Sequence, residues 1–528
     1  MPTTVAWSEN LRALADRHGD LPAVFDGLSQ RLSYLQLSAR AHGLAAHLIQ
    51  SGVRPGQPVA SLLPNGIDAV WVAYGIRLTG ATEVPLSWSY TAEEIAWSAK
   101  LAKFNRVLTL TDKASGLENR GLQALLINTI ELQDDGLILP AIASELPGRI
   151  LFTSGTTGKP KGVIYSHGRR WVGEQLQKST LPFVPHPGAR IVVMTPFVHG
   201  ASLLTCAWCD FGAEVVLLDG VDISRLQPLL QAGQLNAIFA PPTVLAKITT
   251  AFEGMTFSGV QCIFTGTQAL TAALYAKAST MFGPVVRVTY GKSECINPIT
   301  ISTPEQTEAF FKEEESQLGA GVGWPAPGVE IRIAAPVQNA VDDERWDGEI
   351  SLRASQMSDG LLDENGFIAH GPGGWHATGD LGYFDQQGRL ILSGRIADVI
   401  KTGGYRVNPD EIEAVLSGNA HCGHICVTSV ASDYWGEVIV AVAERATEGW
   451  IDAAQQLLAS MSRHKRPRIY LAVPELPRNP QGKLSRKRVS QMILKTHQLI
   501  DGPYPELCSE LRPELRPVDH ESPLSQPP

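Results

Sequence analysis

The stretch Ile150-Leu-Phe-Thr-Ser-Gly-Thr-Thr-Gly-Lys-Pro-Lys-Gly-Val-Ile164 is apolar at both ends and holds only glycines, hydroxyls, lysines and a proline between them. The apolar ends read as short strands and the centre as the loop joining them. Glycines let backbone N–H groups approach phosphate oxygens, and hydroxyls and lysines add donors and charge. The loop therefore reads as a polyphosphate-binding element. It is not a Walker A loop, which needs Gly at 153 and Ser or Thr at 160, where this chain has Thr153 and Pro160. A P-loop kinase or GTPase fails on both positions.

Outward from this loop, short strands alternate with helical patterns. Leu37–Ile49 has helical apolar spacing, Pro58–Leu63 is a short apolar strand, Ala69–Leu78 a helix and Thr82–Leu86 a strand. The rhythm recurs at 191–194, 214–218, 237–240, 261–264 and 285–288. Alternation of this kind implies a mainly parallel sheet with helices on its faces. From Val329 the pattern turns to short strands and glycine-rich turns, as in a barrel-like or antiparallel sheet. After Gly394 a smaller α+β segment follows, with a helix over Pro409–Leu416. The stretch from Gly502 onward holds seven prolines and a repeated Glu-Leu-Arg-Pro, which reads as a flexible tail.

Composition limits the choices. A chain of 528 residues exceeds one ordinary core. The net charge of −9 argues against nucleic acid as a partner. No signal peptide and no long apolar run is read, so a cytoplasmic protein is the expectation. The seven cysteines, including the Cys206/Cys209 pair, read as unmetallated thiols packed as small hydrophobes. The oligomeric state is open, a dimer included.

Six further segments, and the Gly394-Arg395 pair, carry chemistry. Met194-Thr-Pro-Phe-Val-His-Gly200 offers Phe197 and His199, and Phe264-Thr-Gly-Thr-Gln268 offers Gly266 and Thr267. Tyr290-Gly-Lys-Ser-Glu294 places an aromatic face beside a carboxylate suited to Mg²⁺. Trp375-His-Ala-Thr-Gly-Asp-Leu-Gly-Tyr383 and the later Gly394-Arg395 offer Asp380 and Arg395. The run from Ile396 to Glu413 contains Lys401-Thr-Gly-Gly-Tyr-Arg406, and Lys483 lies in Leu476-Pro-Arg-Asn-Pro-Gln-Gly-Lys-Leu484. Taken singly, each is an ordinary turn, loop or surface charge.

Together and in this order, from about Tyr34 to Val489, they resemble the adenylate-forming enzymes: acyl-CoA synthetases, firefly-type luciferases and peptide-synthetase adenylation domains. The resemblance implies a large α/β domain of two parallel-sheet subdomains plus a β-barrel-like subdomain over 1–394. It implies a small mobile α+β domain over 395–500, with residues 501–528 as the tail. It also implies roles. Thr153, Ser154, Gly155, Thr156, Thr157, Gly158, Lys159, Gly266, Thr267, Tyr290, Gly291, Ser293, Asp380 and Arg395 would bind ATP or AMP. Glu294 and Thr153 would hold Mg²⁺. Phe197, His199, Gly266 and Lys292 would line the acyl pocket, with His199 gating the carboxylate. Lys401, Gly403, Gly404 and Arg406 would serve the CoA step. Ala397 stands at the hinge, where relatives usually have Asp or Lys. Lys483, His199 and Glu294 would be catalytic, Lys483 by offsetting repulsion between the α-phosphate and the substrate carboxylate.

The implied activity is ATP-dependent acid–CoA ligation with ATP, Mg²⁺ and CoA. The acid would be aromatic, cyclic or medium-chain. The absence of Asp and Glu over 195–202 argues against an amino acid. Loading of an acyl carrier protein is the alternative to CoA.

Overall fold

The structure is a computed structural model that describes residues 3–130, 138–153, 160–266, 268–313, 316, 319–334, 347–478 and 484–509, with His199, Arg406 and Ser509 described by their backbone alone. The chain divides into two compact units, Met1–Ala397 and Asp398–Pro528.

Two large sheets frame unit 1. The first has eight strands in the order 366–369, 360–363, 161–166, 147–153, 82–86, 58–62, 106–109 and 123–126. The strands from 147–153 onward run parallel, and the first three are joined antiparallel. Short apolar runs such as Pro58–Leu62 form buried strands here because helices cover the sheet. Two of the helices of this unit start at residues that cap them. Ser33 and Thr91 each form a capping box, with Gln36 and Glu94 reaching back to the cap backbone.

The second sheet has seven strands, 286–289, 262–266, 237–239, 190–193, 214–217, 22–25 and 31–33, parallel except for the last. The stretch after Val329 contributes most of a five-stranded antiparallel sheet in the order 320–321, 390–395, 376–384, 348–354 and 329–333.

A buried ionic group lies where the helices meet the first sheet. Arg77 pairs with Glu174 at 3.2 Å, and Glu83 takes Arg170 at 3.0 Å and Arg149 at 3.7 Å. Three arginines face two glutamates. Burial opposes ionisation of Glu83, but the Arg149 and Arg170 guanidiniums still hold its carboxyl below the usual range. His167 adjoins this group and is neutral, pushed down to about 3 by burial and then by Arg170. Arg149 extends the network, donating to Ser202 Oγ at 2.9 Å and to the Val198 carbonyl at 3.3 Å.

Unit 2 is an α+β fold. Strands 405–407, 400–402, 436–444 and 425–432 are antiparallel, and 469–473 joins 436–444 in parallel. One apolar cluster includes Ile400, Val407, Ile412 and Leu458, and another includes Val438, Val440, Val489 and Ile493. Arg486 holds one edge, binding Asp398 at 2.7 Å and both Asp410 and Glu413 at 2.6 Å. The helix Pro409–Leu416 has Asn408 as its cap and Pro409 in its first turn.

One expectation changes. The segment assigned to the tail continues as a hairpin, His497–Ile500 paired with Glu506–Ser509. Pro503 and Pro505 fall between these strands, where no ladder N–H is required. Residues 510–528 lie outside the described residues. Among the described residues no helix is long and apolar enough to cross a membrane.

Candidate active site

Most candidate residues of unit 1 follow the carboxyl ends of strands, where open α/β sheets place ligands. Phe197 follows 190–193, Gly266 ends 262–266 and Tyr290 follows 286–289, three strands of one sheet. Thr153 ends 147–153, paired with Lys161 on the strand leaving the loop. Ser154, Gly155, Thr156, Thr157, Gly158 and Lys159 lie outside the described residues, as do Thr267 and Lys483. The loop's exit is anchored by Trp97 Nε1, which donates to the Pro160 carbonyl at 2.8 Å.

Asp380 is the centre of the described site. It lies directly opposite Arg395 on the neighbouring strand, and Arg395 Nε reaches its Oδ1 at 3.0 Å. Its Oδ2 accepts from the Tyr290 hydroxyl and pairs with Lys292 Nζ at 3.2 Å. Lys292 Nζ also donates to the Thr378 carbonyl at 2.9 Å. Burial, and then the Asp380 carboxylate, raise the Tyr290 hydroxyl far above its ordinary value. Lys292, expected in the acyl pocket, thus has its ammonium directed to the same carboxylate as Arg395.

Gly266 is explained by a close approach, since a Cβ there would lie 2.5 Å from the Thr289 carbonyl oxygen on the next strand. Gly291 backs onto the Asn297 amide, which would stand 3.4 Å from an added Cβ. Ser293 is fixed through its carbonyl, which accepts from the Tyr165 hydroxyl at 2.5 Å. This joins the strand leaving the phosphate loop to the turn that carries Glu294.

Glu294 is half-buried, and its backbone carbonyl accepts from Ser358 N at 2.8 Å. Among the described residues no side chain pairs with its carboxylate. Two histidines missed by the sequence reading stand nearby. His370 Nε2 lies 2.9 Å from both Ser358 Oγ and its carbonyl, and the His370 and His376 rings meet edge-on at 5.1 Å. Burial lowers both imidazoles, and the Glu294 charge partly counteracts this. The available signal was strand periodicity, because His376, Thr378 and Asp380 alternate onto one face.

Phe197 opens a single π-helical turn, 197–201, and is buried with its N–H donated to Asn65 Oδ1 at 3.0 Å. Such turns interrupt regular helices and are frequent at functional sites. The adjoining Thr195 hydroxyl and the Thr265 hydroxyl beside Gly266 are buried without a hydrogen-bond partner among the described residues.

In unit 2, Lys401 and Arg406 are paired across a two-residue hairpin whose turn is Gly403-Gly404. Both glycines have positive φ, +57° and +83°, as a type I′ turn requires. Nothing lies within 4 Å of a Cβ at Gly404, so backbone conformation is the local reason for that glycine. Ala397 is the last residue of unit 1.

The donor set suits the implied ligands. The Glu294 carboxylate, unpaired among the described residues, and the threonine at 153 are hard oxygen donors of the kind Mg²⁺ takes. A carboxylate offers about four acceptor sites. Among the described residues three on Asp380 are occupied, which leaves one acceptor position.

A model of the AMP-binding enzyme family matches residues 11–362. A 2-succinylbenzoate–CoA ligase of Bacillus cereus is 26% identical over 471 residues, 88% of this chain and 94% of that protein. A (7a-methyl-1,5-dioxo-octahydroindenyl)propanoyl:CoA ligase of Rhodococcus jostii is 27% identical over 538 residues, 92% and 98% of the two chains. The o-succinylbenzoate CoA synthetase of Bacillus subtilis, solved with its acyl-adenylate intermediate, shares the fold with a TM-score of 0.78 at 23% identity, covering 91% of this chain and 97% of that one. With its parallel sheets and strand-end site in place, the chain belongs to the AMP-binding enzyme family.

Proposed function

We propose that this chain is an ATP-dependent acid–CoA ligase acting on a bulky, ring-bearing carboxylic acid. The observation that carries the reading is the Asp380 group, with Tyr290, Lys292 and Arg395 around one carboxylate, in the same unit as Glu294, whose carboxylate has no side-chain partner among the described residues.

In the first step an oxygen of the acid attacks the α-phosphorus of ATP. An O–P bond forms and pyrophosphate leaves. In the second step the CoA thiol attacks the acyl carbonyl. A C–S bond forms, AMP leaves and the thiol proton is lost. Asp380 would accept a ribose hydroxyl and Tyr290 would present its ring to adenine. Glu294 and Thr153 would hold Mg²⁺, which when bound neutralises charge on the phosphates. Lys483 would lie between the two anions during adenylation, and Gly403-Gly404 would serve the thiol step. Ala397, where the units divide, is the proposed pivot.

Two features support a ring-bearing acid. Both relatives described above carry names of ring-bearing acids. The segment after Phe197 is built of small residues, Gly200, Ala201 and Ser202. A panel of aromatic, alicyclic and linear acids, scored by AMP release with and without CoA, tests the reading. Turnover with ring-bearing acids that requires CoA is expected. Turnover only with a phosphopantetheinylated carrier protein, or with no carboxylic acid, defeats it.

A further inference from the structure

Among the described residues the hairpin His497–Ser509 pairs with no other strand, and an isolated two-stranded hairpin is marginal in water. Leu499 and Leu507 pack it against the apolar cluster of Val438, Val440 and Val489. Its polar contacts converge on one place, the turn between strands 425–432 and 436–444.

Asp501 occupies that turn. Its carboxylate accepts from Ser432 Oγ at 2.6 Å, Asp433 N at 2.6 Å and Tyr434 N at 3.2 Å, as well as from its own neighbour Gly502 N at 2.9 Å. Asp433 N and Tyr434 N lie beyond the strand ladder, so Asp501 supplies acceptors that the sheet does not. Ser432 Oγ in turn accepts from Trp435 N at 2.8 Å, and Trp435 Nε1 donates to the Gly502 carbonyl at 2.9 Å. Trp435 is therefore held at both its backbone and its indole by this one contact.

The indole faces the glycine turn. Gly403 N donates to the Trp435 carbonyl at 2.8 Å, and a Cβ at Gly403 would stand 3.1 Å from Trp435 Cε3. Thr402 bridges Gly436, and Lys401 N donates to Glu437 Oε2 at 2.6 Å. Two consecutive glycines have wide backbone freedom. A ring packed on one of them and a hydrogen bond to its N–H remove much of it.

We infer that the hairpin 497–509 is a positioning element for the thioester step, with Asp501 fixing Trp435 and Trp435 fixing the Gly403-Gly404 turn. The inference rests on the assignment of that turn to the CoA step. Asp501 touches no reactant and acts through Trp435.

Four variants of the full chain test it: Asp501→Ala, Asp501→Asn, Ser432→Ala and the Asp501→Ala/Ser432→Ala pair. Hydrogen exchange at Thr402–Tyr405 reads the positioning directly, without any substrate. Conversion of supplied acyl-AMP and CoA to thioester reads the second step, and pyrophosphate exchange reads the first. For Asp501→Ala, faster exchange at the glycine turn is expected, with the thioester kcat reduced about tenfold, since small displacements near reacting groups cost rates of this order or more. Pyrophosphate exchange should stay within about twofold, because only the glycine turn is released. Asp501→Asn, which keeps an acceptor oxygen, should recover part of the rate. The double variant should be no worse than the worse single one, since both residues act through one contact. Unchanged exchange at the glycine turn in folded Asp501→Ala overturns the inference, and so does equal loss of both half-reactions. If the wild-type chain adenylates no acid, the proposed function fails, while the exchange measurement still decides whether the hairpin positions the turn.

Discussion

Lys292 Nζ lies 3.2 Å from Asp380 Oδ2, on the same carboxylate that Arg395 reaches from the adjacent strand. The central residue of Tyr290-Gly-Lys-Ser-Glu294 therefore orients the aspartate proposed for ribose. Lys292→Met should raise the KM for ATP several-fold, consistent with loss of one charge-assisted hydrogen bond, and leave the ranking of acids unchanged. Lys292→Arg should recover part of the loss. A changed acid ranking at constant KM for ATP would return Lys292 to the acyl pocket.

Glu294→Gln keeps the shape of the side chain and removes its charge. Adenylation should fall about a hundredfold, the order seen when a transition-state charge stabiliser is removed, and excess Mg²⁺ should restore part of it. Unaltered turnover at limiting Mg²⁺ would remove Glu294 from the metal site.

The buried ionic group makes a prediction about folding. Glu83 is the shared counter-ion of Arg149 and Arg170. Glu83→Gln leaves those cations underpaired in the interior and should cost about 4 kcal/mol. The variant should be recovered with low soluble yield and unfold at a lower denaturant concentration. A wild-type midpoint would show that the arginines find other partners.

His167 gives unit 1 a dependence on acid. Trp7 Nε1 donates to its Nδ1 at 3.2 Å, and its Nε2 stands 3.0 Å from the Gly80 carbonyl, so both ring nitrogens are engaged in the neutral form. The folded value is pushed down to about 3 from an ordinary 6.5. Between these values the unfolded chain binds the extra proton, so this contribution is complete above 6.5 and is lost as pH falls towards 3. His167→Gln should flatten stability against pH in that window, as read by denaturant midpoints. Parallel profiles for the two proteins would contradict it.

Lys483 and Gly404 should divide the reaction between them. Lys483→Ala should abolish acyl-AMP formation yet still convert supplied acyl-AMP to thioester. Gly404→Ala meets no atom within 4 Å but must hold φ at +83°, so it acts through backbone strain of about 1–2 kcal/mol. It should slow the thioester step and leave adenylation near normal. Equal loss of both steps in each variant would defeat the division.

Much of this fold was legible because its signals are local. Thr82–Leu86 and Pro409–Leu416 were read at the residues where they occur, the strand as one beat of the alternating strand and helix pattern and the helix within the α+β segment after Gly394. The relations that organise the site are not local. Lys292 and Asp380 are 88 positions apart, and neither carries a mark of the other. Arg77, Glu83, Arg149, Arg170 and Glu174 each look like surface charges until the helices close over the sheet. The hairpin at 497–509 was hidden by Pro503 and Pro505, which in composition resemble a tail and in space make a turn.

Among the described residues, every apolar cluster belongs wholly to the residues before Asp398 or wholly to those from Asp398 on. Each unit therefore has an apolar interior of its own. Volume-conserving swaps around Val192 and around Val440 share no packing partners and should add independently in their effect on stability.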